Sequence, residues 1–154
     1  MEIRSVNPNQ RKVLENLLQL YLHEMSGHYP APYNYSNGTF DYDLDSYFTE
    51  PTHKAYYILN NNKIVGFALL IINNDFIRPQ EMFILNQYRD KGLGSFTLKR
   101  LFDKYKGKWE LKVPPHCKRL ERLWTRLVKE YTKGNYQTDR VGTYNRLVIT
   151  FNNK

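Results

Sequence analysis

A chain of 154 residues with 41% hydrophobic and 25% charged residues can bury a real core, which argues against disorder. Its net charge of +8 and pI of about 9.5 point to an anionic partner: nucleic acid, a membrane surface or a phosphorylated cofactor. The longest apolar run, 64–72, is too short to cross a bilayer, no charged-then-apolar leader opens the chain, and the lone Cys117 excludes an internal disulfide, so a cytoplasmic location is expected.

Residues 2–6 alternate and predict a first strand. Val13, Leu14, Leu17, Leu18, Tyr21 and Met25 recur at helical spacing over 9–25, with Asn7 or Asn9 as the N-cap. The stretch 26–40, rich in Gly, Pro, Asn and Tyr, reads as a long loop, and 41–49 as a short helix stopped by Pro51. Two β-rich runs, 54–59 and 63–72, flank Asn60-Asn61-Asn62, a hairpin signature. A further strand spans 76–85, and Pro79 within it implies a bulge or an unpaired stretch. A helix follows over 94–105, then a strand over 108–113 closed by Pro114-Pro115. The strongest helix covers 117–131, where Leu120, Leu123, Trp124, Leu127, Val128 and Tyr131 share a face. Residues 145–151 form a last strand, with one more expected near Tyr136. Antiparallel hairpins followed by β-α-β crossovers define a mixed α/β domain covering the whole chain.

The charge is uneven. Positions 89–130 hold most of the Lys and Arg, while 39–50 is acidic through Asp41, Asp43, Asp45 and Glu50. Within the basic half, Arg89-Asp90-Lys91-Gly92-Leu93-Gly94 lies where a predicted strand hands over to a helix. Glycines there let the backbone approach a ligand, and the first turn of a helix presents unpaired N–H groups at a positive dipole end. Arg89 and Lys91 add charge, and Ser95 adds a hydroxyl donor. The segment is not a P-loop, and it lacks the third glycine and the acidic partner of a dinucleotide fingerprint.

Arg89, Gly92 and Gly94 satisfy [Q/R]-x-x-G-x-[G/A], and with the strand before and the helix after it the chain resembles the GNAT superfamily of N-acetyltransferases. The hairpin ending in Ile64-Val65-Gly66-Phe67-Ala68, the strand at Trp109-Glu110-Leu111 and the helix at Leu123-Trp124 are similar to the family's as well, and the tract 21–51 resembles a smaller bacterial group of undefined substrate. The resemblance implies a mostly antiparallel sheet splayed between its fourth and fifth predicted strands and flanked by about four helices. Acetyl-CoA would lie in the splay as co-substrate, with no metal. Met82, Phe83 and Ile84 would offer main-chain groups to the pantetheine and the acetyl carbonyl. Residues Asp90, Lys91, Gly92, Leu93, Gly94 and Ser95 would wrap the pyrophosphate, and Cys117 and Trp124 would touch the cofactor.

Acetyl transfer to an amine needs a base, a stabilised oxyanion and a route for the leaving thiolate. Glu81 and Glu110 match positions where family members carry a glutamate. Glu110 is preferred as the base because it follows Trp109 in a short strand aimed at the splay. Trp124 stands where many members place a Tyr, so the usual leaving-group acid is missing, and His116 and Tyr131 are unsupported substitutes. The substrate wall is expected from His23, Glu24, Tyr29, Tyr33, Tyr35, Asp41, Tyr42 and Asp43, whose aromatic and acidic groups suit a cationic amine. The four histidines show no metal-ligand spacing. The other classes are a GNAT-like acyl-CoA sensor without catalysis and a basic nucleic-acid-binding module; the latter lacks a helix-turn-helix or RNA-recognition signature. The resemblance also suggests a homodimer.

Overall fold

Seven of the nine strands join one sheet, in the order 2–5, 53–60, 63–72, 77–84, 108–112, 146–152 and 137–141. The computed structural model describes all 154 residues. Its elements run β1 (Glu2–Ser5), α1 (Arg11–Met25), β2 (Tyr33–Asn34), β3 (Thr39–Phe40), α2 (Ser46–Thr49), β4 (His53–Asn60), β5 (Lys63–Ile72), β6 (Ile77–Ile84), α3 (Leu93–Lys104), β7 (Lys108–Lys112), α4 (Lys118–Thr132), β8 (Gln137–Val141) and β9 (Arg146–Asn152). The short antiparallel ribbon β2–β3 falls inside the expected loop, and the expected helix over 41–49 shrinks to one turn at its C-terminal end. The β4–β5 hairpin turns through Asn61 and Asn62 at φ of 52° and 62°, the left-handed pair that a two-residue turn demands and that Asn tolerates. Asn7 caps a short 3-10 turn ahead of α1 rather than α1 itself.

Alternation along the central strands splits the core into two layers. Ala68 and Leu70 face α3 and α4, where they pack with Leu98, Phe102, Trp109 and Val128. Phe67 and Leu69 face the other way, against Leu14, Leu18, Tyr21 and Leu22 of α1. Val13, placed on the apolar stripe by its spacing, lies 42% exposed, and Leu22 takes the buried position instead.

Two irregularities shape the cleft between β6 and β7. All neighbouring strands pair antiparallel except β6 and β7, which run parallel and touch at a single register pair, Ile77 with Trp109, before diverging. The bulge implied by Pro79 is present: Leu70 pairs with Pro79 but Leu69 pairs with Glu81, leaving Gln80 as the extra residue. One added residue flips every later side chain to the opposite face. Ile77, before the bulge, packs with the α3–α4 layer, whereas Glu81 and Phe83 beyond it face α1.

Candidate active site

The divergence of β6 and β7 opens a cleft of about 1090 Å³. One end is the turn between β6 and α3. Gly92 sits at φ +83° and Asp90 at φ +62°, a local left-handed geometry that turns successive N–H groups outward. The backbone N–H groups from Asp90 to Ser95 make no hydrogen bond within the protein, and the first helical bond back to this turn is from Phe96 to Gly92. A Cβ on Gly94 would meet only ordinary contacts with Ile84 and Met82, so packing alone does not demand a glycine there. Six free donors at a helix N-terminus are what a pyrophosphate needs, and the residues present therefore fit coenzyme A.

The charged side chains of the turn are committed elsewhere. Arg89 does not point at a phosphate position: its Nη atoms grip both oxygens of Glu24 at 2.6 and 2.7 Å, and its Nε donates to the Ile84 carbonyl at 2.7 Å. This ties the C-terminal end of α1 to the turn, and the hydrogen bonds from Arg89 hold the Glu24 carboxyl below its ordinary range. Glu24 thus lines the cleft as a brace rather than as a free substrate carboxylate. Lys91 is exposed, lies over the Tyr88 ring and does not line the cleft. The Asp90 carboxylate pairs with Arg119 of α4. Leu93 has its side chain buried, and Ser95 lines the cleft beside it.

Along β6, the bond from the Leu85 N–H to the Val65 carbonyl sets the pattern of pairing with β5. By strand alternation the main chain of Phe83 then faces β5, and the main-chain groups of Met82 and Ile84 face the gap. The expectation for Phe83 is corrected accordingly. Its ring packs edge-on against Tyr21 on the α1 side.

The other end of the cleft surrounds Glu81. The Tyr21 hydroxyl donates to Glu81 Oε1 at 3.0 Å, and Tyr29 lines the same wall. Burial pushes the Glu81 carboxyl up, while the hydroxyls of Tyr21 and Tyr42 and the charge of Arg146 pull it only part of the way back. Burial and the nearby carboxylate raise the phenols of Tyr21 and Tyr29, so both stay protonated donors. Tyr42 stands behind this group with its hydroxyl 3.5 Å from that of Tyr47, which burial pushes up to about 12.

Glu110, the preferred base, is not at the cleft surface. Its carboxylate is held by Arg78 at 3.0 Å and by Lys112 at 3.7 Å, and those two cations line the cleft instead. The preference for Glu110 over Glu81 is therefore reversed. His23 packs beside Phe40, Tyr33 meets Tyr35 edge-to-face at the β2–β3 ribbon, and Asp41 is exposed, so none of these expected substrate residues lines the cleft. Asp43 is spent on Ser46, its Oδ2 accepting from the hydroxyl at 2.6 Å. Cys117, just ahead of α4, and Trp124, 7% exposed within the α3–α4 core, both reach the cleft wall. Sequence reasoning missed Tyr21 as a site residue, reading it only as part of an apolar stripe. It also missed Arg146, which opens the last strand with no motif around it.

The family model for the GNAT acetyltransferases matches residues 14–128. Among solved structures, the chain is similar to an acetyltransferase from Thermus thermophilus, with a TM-score of 0.67 and 13% identity over 98% of this chain and 96% of that one. It is also similar to the ribosomal-protein-S18-alanine N-acetyltransferase of Escherichia coli, with a TM-score of 0.65 and 13% identity over 99% and 94%. The PaiA N-acetyltransferase of Thermoplasma acidophilum, in complex with coenzyme A, aligns with a TM-score of 0.61 and 12% identity over 98% of both chains. No curated protein matches in a sequence comparison. The splayed β6–β7 pair, the open turn after β6 and a family match over most of the chain lead to one conclusion: this protein belongs to the GNAT acetyltransferase family.

Proposed function

We propose that the protein transfers an acetyl group from acetyl-CoA to a primary amine by direct attack, with Glu81 as the base. The observation that carries this reading is a single cleft joining the unpaired N–H groups of 90–95 to the Glu81 carboxylate. The turn and the neighbouring face of α4 hold the phosphates. Met82 offers its main-chain groups and Ile84 its N–H to the pantetheine and the acetyl oxygen. When bound, acetyl-CoA supplies an acyl group activated as a thioester.

Glu81 accepts a proton from the acceptor's ammonium, which frees the nitrogen lone pair to attack the acetyl carbon. A carboxyl raised by burial suits this task, since its proton affinity lies closer to working pH than that of an exposed glutamate. The new C–N bond forms, the C–S bond breaks and the thiolate departs, and the second proton shed by the nitrogen passes to the thiolate or to water as the neutral amide forms. By the family resemblance Trp124 stands where many members carry a Tyr that would protonate that sulfur, and a thiol is acidic enough to leave as the anion.

Calorimetry with acetyl-CoA, followed by free-thiol release across an amine panel, tests the proposal. Tight binding with thiol release that depends on an amine is expected. Absence of acetyl-CoA binding would sink it. Binding with no release from any amine favours the sensor reading, for which Trp124 in place of a Tyr is the specific observation.

A further inference from the structure

The cleft is strongly cationic, and four of its seven Lys and Arg side chains already sit against a carboxylate. Arg89 is held by Glu24, Arg119 by Asp90, and Arg78 and Lys112 by Glu110. Arg122 and Arg126 share a face of α4 with Arg119, whose contact with Asp90 puts that face beside the phosphate-binding turn. They lie where the cofactor's own negative charges are expected.

Arg146 is different. It opens β9 on the far side of the cleft, half-buried, and no carboxylate pairs with it. Its Nε donates to the Val113 carbonyl at 3.0 Å, and an Nη donates to the Lys112 carbonyl at 3.4 Å. Backbone carbonyls orient a guanidinium without cancelling its charge, and two bonds leave most of its five N–H donors free. It lines the same cleft as Glu81, Tyr21 and Tyr29, and its positive charge acts on all three. Of the acidic groups that the sequence offers to a cationic amine, Asp41 and Asp43 are absent from this wall and Glu24 is bound by Arg89.

We propose that the acceptor is an amine that also carries an anion, a carboxylate or a phosphate, which Arg146 binds while Glu81 faces the amino group. This deepens the transferase reading and rests on it. An anion beside Arg146 matches the guanidinium's planar fork, and a second positive charge there would be repelled. A polyamine is thereby disfavoured, and a zwitterion such as an amino acid or an aminoalkyl phosphate is favoured.

The test uses matched pairs with the full chain: amino acids against their amides, and phosphoethanolamine against ethanolamine, read by thiol release. A preference of about tenfold or more in kcat/KM for the anion-bearing member is expected, expressed mainly in KM, and the two pairs separate carboxylate from phosphate. Arg146→Gln should bring the favoured acceptor down to the level of its neutral partner while acetyl-CoA affinity stays as in the parent. Arg146→Lys should fall between. Equal use of both members, or a preference for polyamines, overturns the proposal, and this comparison needs no variant to fold.

A second readout does not depend on turnover. In the presence of coenzyme A, calorimetry with N-acetylated amino acids should show binding that their amides lack and that Arg146→Gln abolishes. That result without any thiol release would keep the anion site and remove the transferase reading. No difference between acid and amide in either assay removes the anion site.

Discussion

The two ends of the cleft are built from different materials. The turn offers main-chain donors from six consecutive residues, 90–95, and its charged side chains are turned away to Glu24, Arg119 and the Tyr88 ring. The pocket at Glu81 offers side chains from positions 21, 29, 81 and 146, drawn from α1, the loop after it, β6 and β9. A main-chain site depends on a local backbone geometry, so substitutions there act through φ. A side-chain site depends on how separate elements pack, so substitutions there act through proton affinity and charge. Affinity for acetyl-CoA and rate of turnover should therefore respond to different ends.

The largest effect is expected from Glu81→Gln. Loss of the base should lower kcat by about 10²- to 10⁴-fold with acetyl-CoA affinity unchanged, measured by thiol release and calorimetry. Its stability effect has a defined sign. Because the folded pKa of Glu81 is raised, its contribution is fully present below the ordinary carboxylate range and is lost as pH rises through the raised value. The glutamine variant should thus melt no lower than the parent at neutral pH. A fall in acetyl-CoA affinity would break the separation of the two ends.

Gly92→Ala comes next. A Cβ at φ +83° costs about 1–2 kcal/mol, so acetyl-CoA should bind about tenfold more weakly by calorimetry while kcat at saturation changes little. Open space around that Cβ makes backbone strain the only cause. Tyr21→Phe sharpens the comparison from the other side. It removes the donor to Glu81 Oε1, so the carboxyl rises further and the ascending limb of the kcat/KM profile moves to higher pH, with a few-fold loss at neutral pH. The smallest effect should be that of Glu110→Gln. Its turnover should match the parent, and the lost pair with Arg78 should cost about 0–1 kcal/mol in thermal unfolding. A large loss of turnover would restore Glu110 to the mechanism.

The hairpin at Asn61 and Asn62 and the turn at Gly92 were legible because both are conformations that neighbouring residues dictate. The bulge at Pro79 was legible for the same reason, since proline cannot donate to a ladder. Its consequence was not. Glu81 and Glu110 are equivalent as strand carboxylates in sequence, and which one meets the cleft depends on the parity shift at Gln80 and on Arg78 closing over Glu110. Arg89 was legible as part of a motif, while its bond to Glu24 joins residues 65 positions apart and has no local sign.

The sequence by itself determined the class of the fold, the run of elements and the open glycine turn ahead of α3, because hydrophobic period, glycine and helix polarity act over a few residues. Only the tertiary structure decided which carboxylate lines the cleft as the candidate base and that Arg146 lines the same cleft. Those relations arise where α1, β6 and β9 pack together, and burial, bulge parity and charge pairing are properties of that packing rather than of any segment alone.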